Sequence, residues 1–325
     1  MRAAYYERNG RASDVLQIGD VETPTPGPGE VRVRLKTSGI NPSDVKGRAG
    51  LTRKIAFPRV VPHSDGAGEI DMVGEGIAQS RIGERVWTFN AQWKRPSGTA
   101  AEFVALPSSQ AVALPTSASF DVGAGIGIPA MTAWYAVTLA LPGDDRTIFV
   151  PAGAGAVGNY AIQFAKARHA TVITTVSSEA KAAIARQAGA DHIINYKTED
   201  TATRLLEITG RKPVDAILEV DLGAGAKIWP AILRPHGTVI VYGTSAPEHT
   251  IPAAFCLTSN IAVRFILVYE MTSADMLSAA AAITKMLTEG RLVHNVAATF
   301  PLEHIVAAHE AVERGIGGKV VLQIC

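Results

Sequence analysis

Apolar and polar positions alternate in the first third of the chain and gather into short unbroken runs further on, and the change falls near Asp121. In the early part Val31, Val33 and Leu35 are interleaved with Arg32, Arg34 and Lys36, so one side of the pleat meets a core and the other meets water. Pro24, Pro26 and Pro28 precede that stretch as a stiff connector with no N–H to offer a ladder. Glycine breaks then recur at Gly39, Gly66, Gly68, Gly74, Gly76 and Gly83. Short strands closed by turns predict a barrel-like β domain.

Beyond Asp121 the runs 148–150, 172–176, 192–195, 216–219 and 239–242 are short and rich in apolar residues, as strands of a sheet covered on both faces require. Residues 159–170 and 179–188 carry helical spacing, and 201–209 predicts a third helix. Parallel neighbours need a crossover, so this alternation predicts a doubly wound parallel sheet. Two later helices, 274–289 and 302–314, are closed by Gly290 and Gly315, and 319–324 returns to strand character. There is no fixed-period repeat.

Composition bounds the classes. A chain of 325 residues, 47% hydrophobic, predicts two soluble globular domains rather than one core. With 31 Lys and Arg against 30 Asp and Glu the net charge is near +1, and no basic stripe with interleaved aromatics points to nucleic acid. Cys256 and Cys325 form no Cys-x-x-Cys pair, which leaves neither a disulfide framework nor a cysteine-rich zinc lobe. The N-terminus lacks an apolar signal core, and no run reads as long enough to span a bilayer. A cytoplasmic location and no membrane partner are the expectation.

Chemistry enters at Pro151-Ala-Gly153-Ala-Gly155-Ala156-Val157-Gly158, directly after the run 148–150. Gly153 suits a tight strand-to-helix turn, Gly155 lets the main chain approach a pyrophosphate, and Gly158 lets the next helix lie close to the sheet. That helix start offers unpaired N–H groups and the positive end of its dipole. Strand, loop and helix in this order predict a dinucleotide site built on Gly153, Gly155, Ala156, Val157 and Gly158.

Several segments together resemble the zinc-independent quinone oxidoreductases of the medium-chain dehydrogenase/reductase superfamily. They are Gly39-Ile-Asn41-Pro42-Ser-Asp44, Asp65-Gly66-Ala-Gly68, Gly83-Glu-Arg-Val86, Ile128-Pro-Ala-Met131-Thr132-Ala133, the glycine loop, and Gly318-Lys319-Val-Val321. The resemblance implies an α/β protein: a GroES-like catalytic domain from residues 1–122 and 263–325 around a Rossmann domain at 123–262. Zinc-dependent relatives carry a Cys where Asp44 stands and His-Glu where Ser64-Asp65 stand, and His63 lies one position off. Without thiolate partners it is a poor start for a tetrahedral site, so no metal is expected.

Without a metal, the acceptor itself must stabilise incoming charge, which quinones and α,β-unsaturated carbonyls do by conjugation. Asn41 resembles a family residue that holds the nicotinamide ribose or the substrate oxygen, though an Asn before Pro42 also suits a turn. Arg48 reads either as an oxyanion partner or as a solvated surface charge, and Thr132 as a hydroxyl near the nicotinamide or as helix packing. Lys46 replaces the Tyr of the family. Asp44 reads as a cap rather than a proton carrier.

An NAD-preferring fold places an acid about 20 residues past the loop. Here the second strand is followed by Ser177-Ser178-Glu179-Ala-Lys181. Ser177 and Lys181 suit a 2′-phosphate, with Glu179 read as a first-turn helix residue, and the expected cofactor is NADPH. By resemblance Tyr196 lies near the adenosine phosphate. Gly243 and Thr244 fall where strand ends line a cofactor. Phe265 and Leu267 fall in 265–269, which resembles the family segment that passes the nicotinamide and pairs across a homodimer, although by itself it reads as a buried strand. Lys319 completes the cofactor set. Three readings follow: an NADPH-dependent quinone reductase, an ene-reductase for small enals or enones, or an NADPH-binding protein without turnover.

Overall fold

The computed structural model describes residues 1–140 and 146–324, and Cys325 lies outside them. The chain divides into two compact units, Met1–Pro129 with Leu277–Cys325, and Ala130–Met276. The family resemblance implies boundaries after residues 122 and 262. The difference at the second cut has a plain cause: the strand Ala262–Phe265 pairs in parallel with Leu233–Val241 and so belongs with the sheet of the second unit.

Among the described residues, the first unit holds a seven-stranded sheet in the order Val296–Pro301, Lys319–Gln323, Glu30–Ile40, Asp65–Val73, Arg85–Thr88, Ala111–Ala113, with Phe103–Pro107 also paired to Glu30–Ile40. Alternation along Glu30–Ile40 is real: Val31, Val33 and Leu35 are fully buried, while Arg32 and Arg34 lie across the ring of Phe103. Burial of those three side chains stabilises the barrel by roughly 1.5–3 kcal/mol each. The late strand Lys319–Gln323 runs antiparallel to Glu30–Ile40, with Val320 opposite Ile40 and Val321 opposite Gly39. That register sets residue 319 beside the segment that leads into Asn41.

The second unit carries a six-stranded, wholly parallel sheet in the order His192–Asn195, Thr171–Val176, Thr147–Val150, Val214–Glu219, Leu233–Val241, Ala262–Phe265. Five of its six strands correspond to the apolar runs read in the sequence, Ala262–Phe265 being the addition, and helices Ala156–Lys166, Glu179–Gln187 and Thr201–Ile208 make the first crossovers. A core of Phe149, Ile173, Ile194, Ile217, Trp229 and Val239 fills one face.

Two expectations need correction. Residues 265–269 are not one buried strand: the strand ends at Phe265 on the sheet edge, a short 3-10 turn follows at Val268–Glu270, and Phe265 and Leu267 are exposed. Phe120–Ala140 is a single helix of 21 residues, apolar enough in length and composition to cross a bilayer, whereas the sequence suggested no such run. Gly123, Gly125, Gly127 and Pro129 disguised it. Most of that helix is buried inside the protein, as a core helix would be.

Candidate functional site

In the second unit the glycine loop turns the chain from strand Thr147–Val150 into helix Ala156–Lys166. Thr174 Oγ1 donates to Val150 O at 2.5 Å, and the Ala152 N–H donates to Thr175 Oγ1 at 3.2 Å, which pins the turn to the neighbouring strand. A Cβ at Gly158 would stand 2.3 Å from the carbonyl oxygen of Ala152, so only glycine lets helix Ala156–Lys166 start this close to the turn. At Gly155 a Cβ would meet only Ala152 O, at 3.1 Å, and the rest of that side is open. Gly155 is the N-cap and supplies no side-chain acceptor, so the first N–H groups of the helix keep their capacity for an anion. Ala156 and Val157 form that first turn and are partly exposed. The loop therefore fits a dinucleotide pyrophosphate.

Around the end of strand Thr171–Val176, Ser177 and Lys181 are half-buried, and Ser178 Oγ caps the next helix by accepting from the Lys181 N–H at 3.4 Å. Glu179 sits in the first turn of that helix and pairs with Arg186 at 2.7 Å, away from a ribose-binding role. Tyr196 is exposed just past strand His192–Asn195. Gly243 packs so tightly that a Cβ would be 2.2 Å from Val220 O, and Thr244 Oγ1 donates to Ala246 O at 2.7 Å. Thr132 is buried on helix Phe120–Ala140, within the second unit.

In the first unit, two predicted residues meet a third that sequence reasoning left out of the site. Lys319 Nζ donates to Asn41 Oδ1 at 2.7 Å and to Asp65 Oδ2 at 2.6 Å, and Asn41 Nδ2 donates to the same Asp65 oxygen at 2.8 Å. The other oxygen, Asp65 Oδ1, accepts from the Ile128 N–H at 2.8 Å. All three side chains are at most 3% exposed. Asp65 balances the Lys319 charge and fixes the Asn41 amide, which keeps one N–H for other work. Its only sequence signal was an acid set among small residues, Ser64-Asp65-Gly66-Ala67-Gly68.

Neighbouring residues are committed elsewhere. Asp44 Oδ2 accepts from the Asn41 N–H at 2.8 Å, half of a capping box at the start of helix Pro42–Ala49. Burial first, then the Asp65 charge, lifts the Asp44 carboxyl to about 7. Arg48 is neither a solvated charge nor placed as an oxyanion partner: it is fully buried, paired with Glu313 and donating to Gly10 O at 2.5 Å. It cross-links the first turn region to helix Ile305–Glu313.

His63 occupies another buried chain. Thr99 Oγ1 donates to Asp65 O at 2.5 Å, so the Ser38 hydroxyl, 2.7 Å away, donates to Thr99. Ser38 then accepts from His63 Nδ1–H at 2.9 Å, which leaves His63 Nε2 as the acceptor for His309 Nε2–H at 2.8 Å. Both imidazoles must be neutral; burial holds His309 down at about 3 and His63 well below its ordinary value. In the unfolded chain each would take a proton below about pH 6.5. The thermal midpoint is therefore expected to be level above about pH 6.5 and to fall below it, each histidine contributing about 1.4 kcal/mol per pH unit until its native value is reached. Asp44 acts in the opposite sense, since the folded state holds its proton from about 7 downward. Scanning calorimetry from pH 8 to 5 on the wild type and on a His63→Phe/His309→Leu double variant checks this. A slope unchanged in the variant would refute it.

Zinc does not suit these residues. Asp44 and Asp65 are held by Asn41 and Lys319, and His63 is satisfied by Ser38 and His309. Among the described residues no group of three or more His, Cys, Asp and Glu is arranged as a metal site.

Comparison with known proteins agrees with this architecture. Residues 27–116 match the alcohol dehydrogenase GroES-like domain, and 156–285 match the zinc-binding dehydrogenase domain. A 2-haloacrylate reductase of Burkholderia sp is 30% identical over 336 residues, covering 99% of this chain and 98% of its own. A quinone oxidoreductase of Pseudomonas aeruginosa is 34% identical over 238 residues, 72% of this chain and 70% of its own. The structure of Escherichia coli quinone oxidoreductase complexed with NADPH superposes with a TM-score of 0.88 at 26% identity, covering 99% of this chain and 100% of that one. An NAD-dependent alcohol dehydrogenase structure superposes at 0.91 with 29% identity, over 100% of both chains. The chain is an oxidoreductase with a GroES-like and a Rossmann-like part. It belongs to the zinc-independent quinone oxidoreductase family of the medium-chain dehydrogenase/reductase superfamily.

Proposed function

We propose that this protein is an NADPH-dependent quinone reductase. The observation that carries the reading is the uncapped helix start behind Gly155, open to a pyrophosphate, in a chain of this family. When bound, NADPH supplies a hydride with its two electrons from C4 of the nicotinamide, and a solvent proton completes the hydroquinone. Gly153, Gly155 and Gly158 with the N–H groups of Ala156 and Val157 hold the pyrophosphate. Ser177 and Lys181 receive the 2′-phosphate, Tyr196 borders the adenosine side, and Gly243, Thr244, Phe265 and Leu267 line the rest. Asn41, fixed by Asp65 and Lys319, offers its remaining amide N–H to ribose or acceptor oxygen; Thr132 supplies a hydroxyl to the nicotinamide. Arg48 has a structural role.

Steady-state oxidation of NADPH and NADH with 1,4-naphthoquinone tests this. NADPH is expected to be preferred in kcat/KM, and Lys181→Glu to reduce that preference by roughly tenfold through loss of one charge-assisted contact. Background rates with both nucleotides would refute it. The relative named as a 2-haloacrylate reductase supports a second reading, an ene-reductase, which a panel of small enones separates. A homodimer through the exposed edge at Ala262–Phe265 is the oligomeric form that an unpaired strand carrying Phe265 favours.

A further inference from the structure

The first unit contains a cavity of about 200 Å³ whose walls are set by Tyr6, Phe57 and Trp93 and whose charges all have one sign. A cavity on the order of 150 Å³ can hold benzene, so this one takes a substituted ring. Its lining includes Arg53, Lys54 and Lys94 and no carboxylate. Arg53 is built into place. Its Nη2 donates to Gln92 Oε1 at 2.5 Å, its guanidinium lies over the Trp93 ring at 5.4 Å, and a Cβ at Gly47 would come within 2.9 Å of its Nε. Glycine at 47 is what lets the guanidinium lie along helix Pro42–Ala49. Neither Arg53 nor the exposed Lys54 has an ion-pair partner among the described residues. Arg53 is among the cations that hold the buried Asp44 carboxyl down, with no salt bridge between the two. Gly47 lies six residues past Asn41, about 9 Å along a helix, which puts the cavity within one small molecule's reach of the Asn41 network.

We propose that this cavity binds the acceptor and selects one that carries an anion: a compact aromatic or conjugated ring bearing a carboxylate or sulfonate. Trp93, Phe57 and Tyr6 receive the ring, and Arg53 and Lys54 receive the anionic group. The inference rests on the quinone reductase reading, deepens it to a substrate class, and leaves its electron and proton balance unchanged. An apolar cavity alone would take a neutral quinone equally well. Two cations without counter-ions make the neutral ligand the poorer one, because an anion gains charge-assisted hydrogen bonds there.

Calorimetric titration with 2-naphthoate and its neutral isostere 2-naphthamide measures this without turnover. Naphthoate is expected to bind roughly tenfold more tightly at low salt, and the ratio to shrink at about 0.5 M salt, where screening acts within a few ångström. Arg53→Gln and Lys54→Gln should each lower the ratio several-fold, while Arg53→Lys keeps most of it. Lys54 is exposed, so its variant tests the idea even if Arg53→Gln fails to fold. Equal binding of the two ligands, or a ratio untouched in Lys54→Gln and insensitive to salt, overturns the proposal. A protein that reduces neutral 1,4-naphthoquinone yet shows no anion preference would lose this inference and keep the function. One that shows the preference but oxidises no NADPH would lose the function instead.

Discussion

Replacing Lys319 with Met is expected to cost about 3–5 kcal/mol of unfolding free energy, because it strands a buried carboxylate. The ammonium is 3% exposed and Asp65 not at all, so water cannot take over as partner. Asn41 Nδ2 and the Ile128 N–H would still donate to Asp65, but neither neutralises its charge. The loss would reach Asp44 as well, since Lys319 is among the charges that hold its proton affinity down. Adding Asp65→Asn to Lys319→Met removes the uncompensated charge and is expected to recover a large part of the loss. Urea unfolding of the wild type, both single variants and the pair checks this as a double-mutant cycle. If the double variant were as unstable as the sum of the singles, the charge argument would be wrong and packing would be the cause.

Gly158→Val should abolish measurable NADPH binding, with a rise in Kd of at least about a hundredfold, and lower the melting point of the free protein as well. Its Cβ would press into the backbone of Ala152, at 2.3 Å from O and 2.9 Å from C. Backbone cannot swing aside as a side chain can, so helix Ala156–Lys166 has to retreat, at about 1–3 kcal/mol for the overpacking. Gly155→Ala separates the two roles of the loop. Its backbone is extended, at φ −75°, and its Cβ would have only the Ala152 oxygen to avoid. That variant is expected to melt like the wild type and still bind NADPH at least about tenfold more weakly, since the methyl occupies the side where the pyrophosphate approaches. NADPH fluorescence titration with apo melting curves decides the matter. Unchanged affinity in Gly155→Ala would remove the loop from the cofactor site.

Much of the fold could be read from local pattern. Runs such as 148–150 and 172–176 announce parallel strands because they are rich in apolar residues, and the loop after Val150 announces its helix because Gly153 and Gly158 fall where side chains would collide and Gly155 leaves one side open. What could not be read depends on partners far away in sequence. Arg48 resembles any surface arginine until helix Ile305–Glu313 delivers Glu313, 265 residues later. Asp65 looks like a relic of a zinc site until Lys319 arrives from 254 residues away. The helix Phe120–Ala140 hid for a different reason: glycine and proline argue against helix locally, and tertiary burial overrides them. Phe265 was misjudged because periodicity cannot tell a central strand from an edge.

The late strand Lys319–Gln323 also imposes an order on biosynthesis. Once residue 301 has cleared the exit tunnel, Asn41 and Asp65 have long since emerged, and the sheet of the second unit has all its strands available. The barrel lacks the strand that completes its sheet, and the acid lacks its counter-charge until Lys319, 278 residues after Asn41, clears the exit tunnel. A nascent chain arrested before that point should therefore display a nucleotide-binding half that resists protease beside an N-terminal half that is readily cleaved. Reductase activity would be the last property acquired during translation.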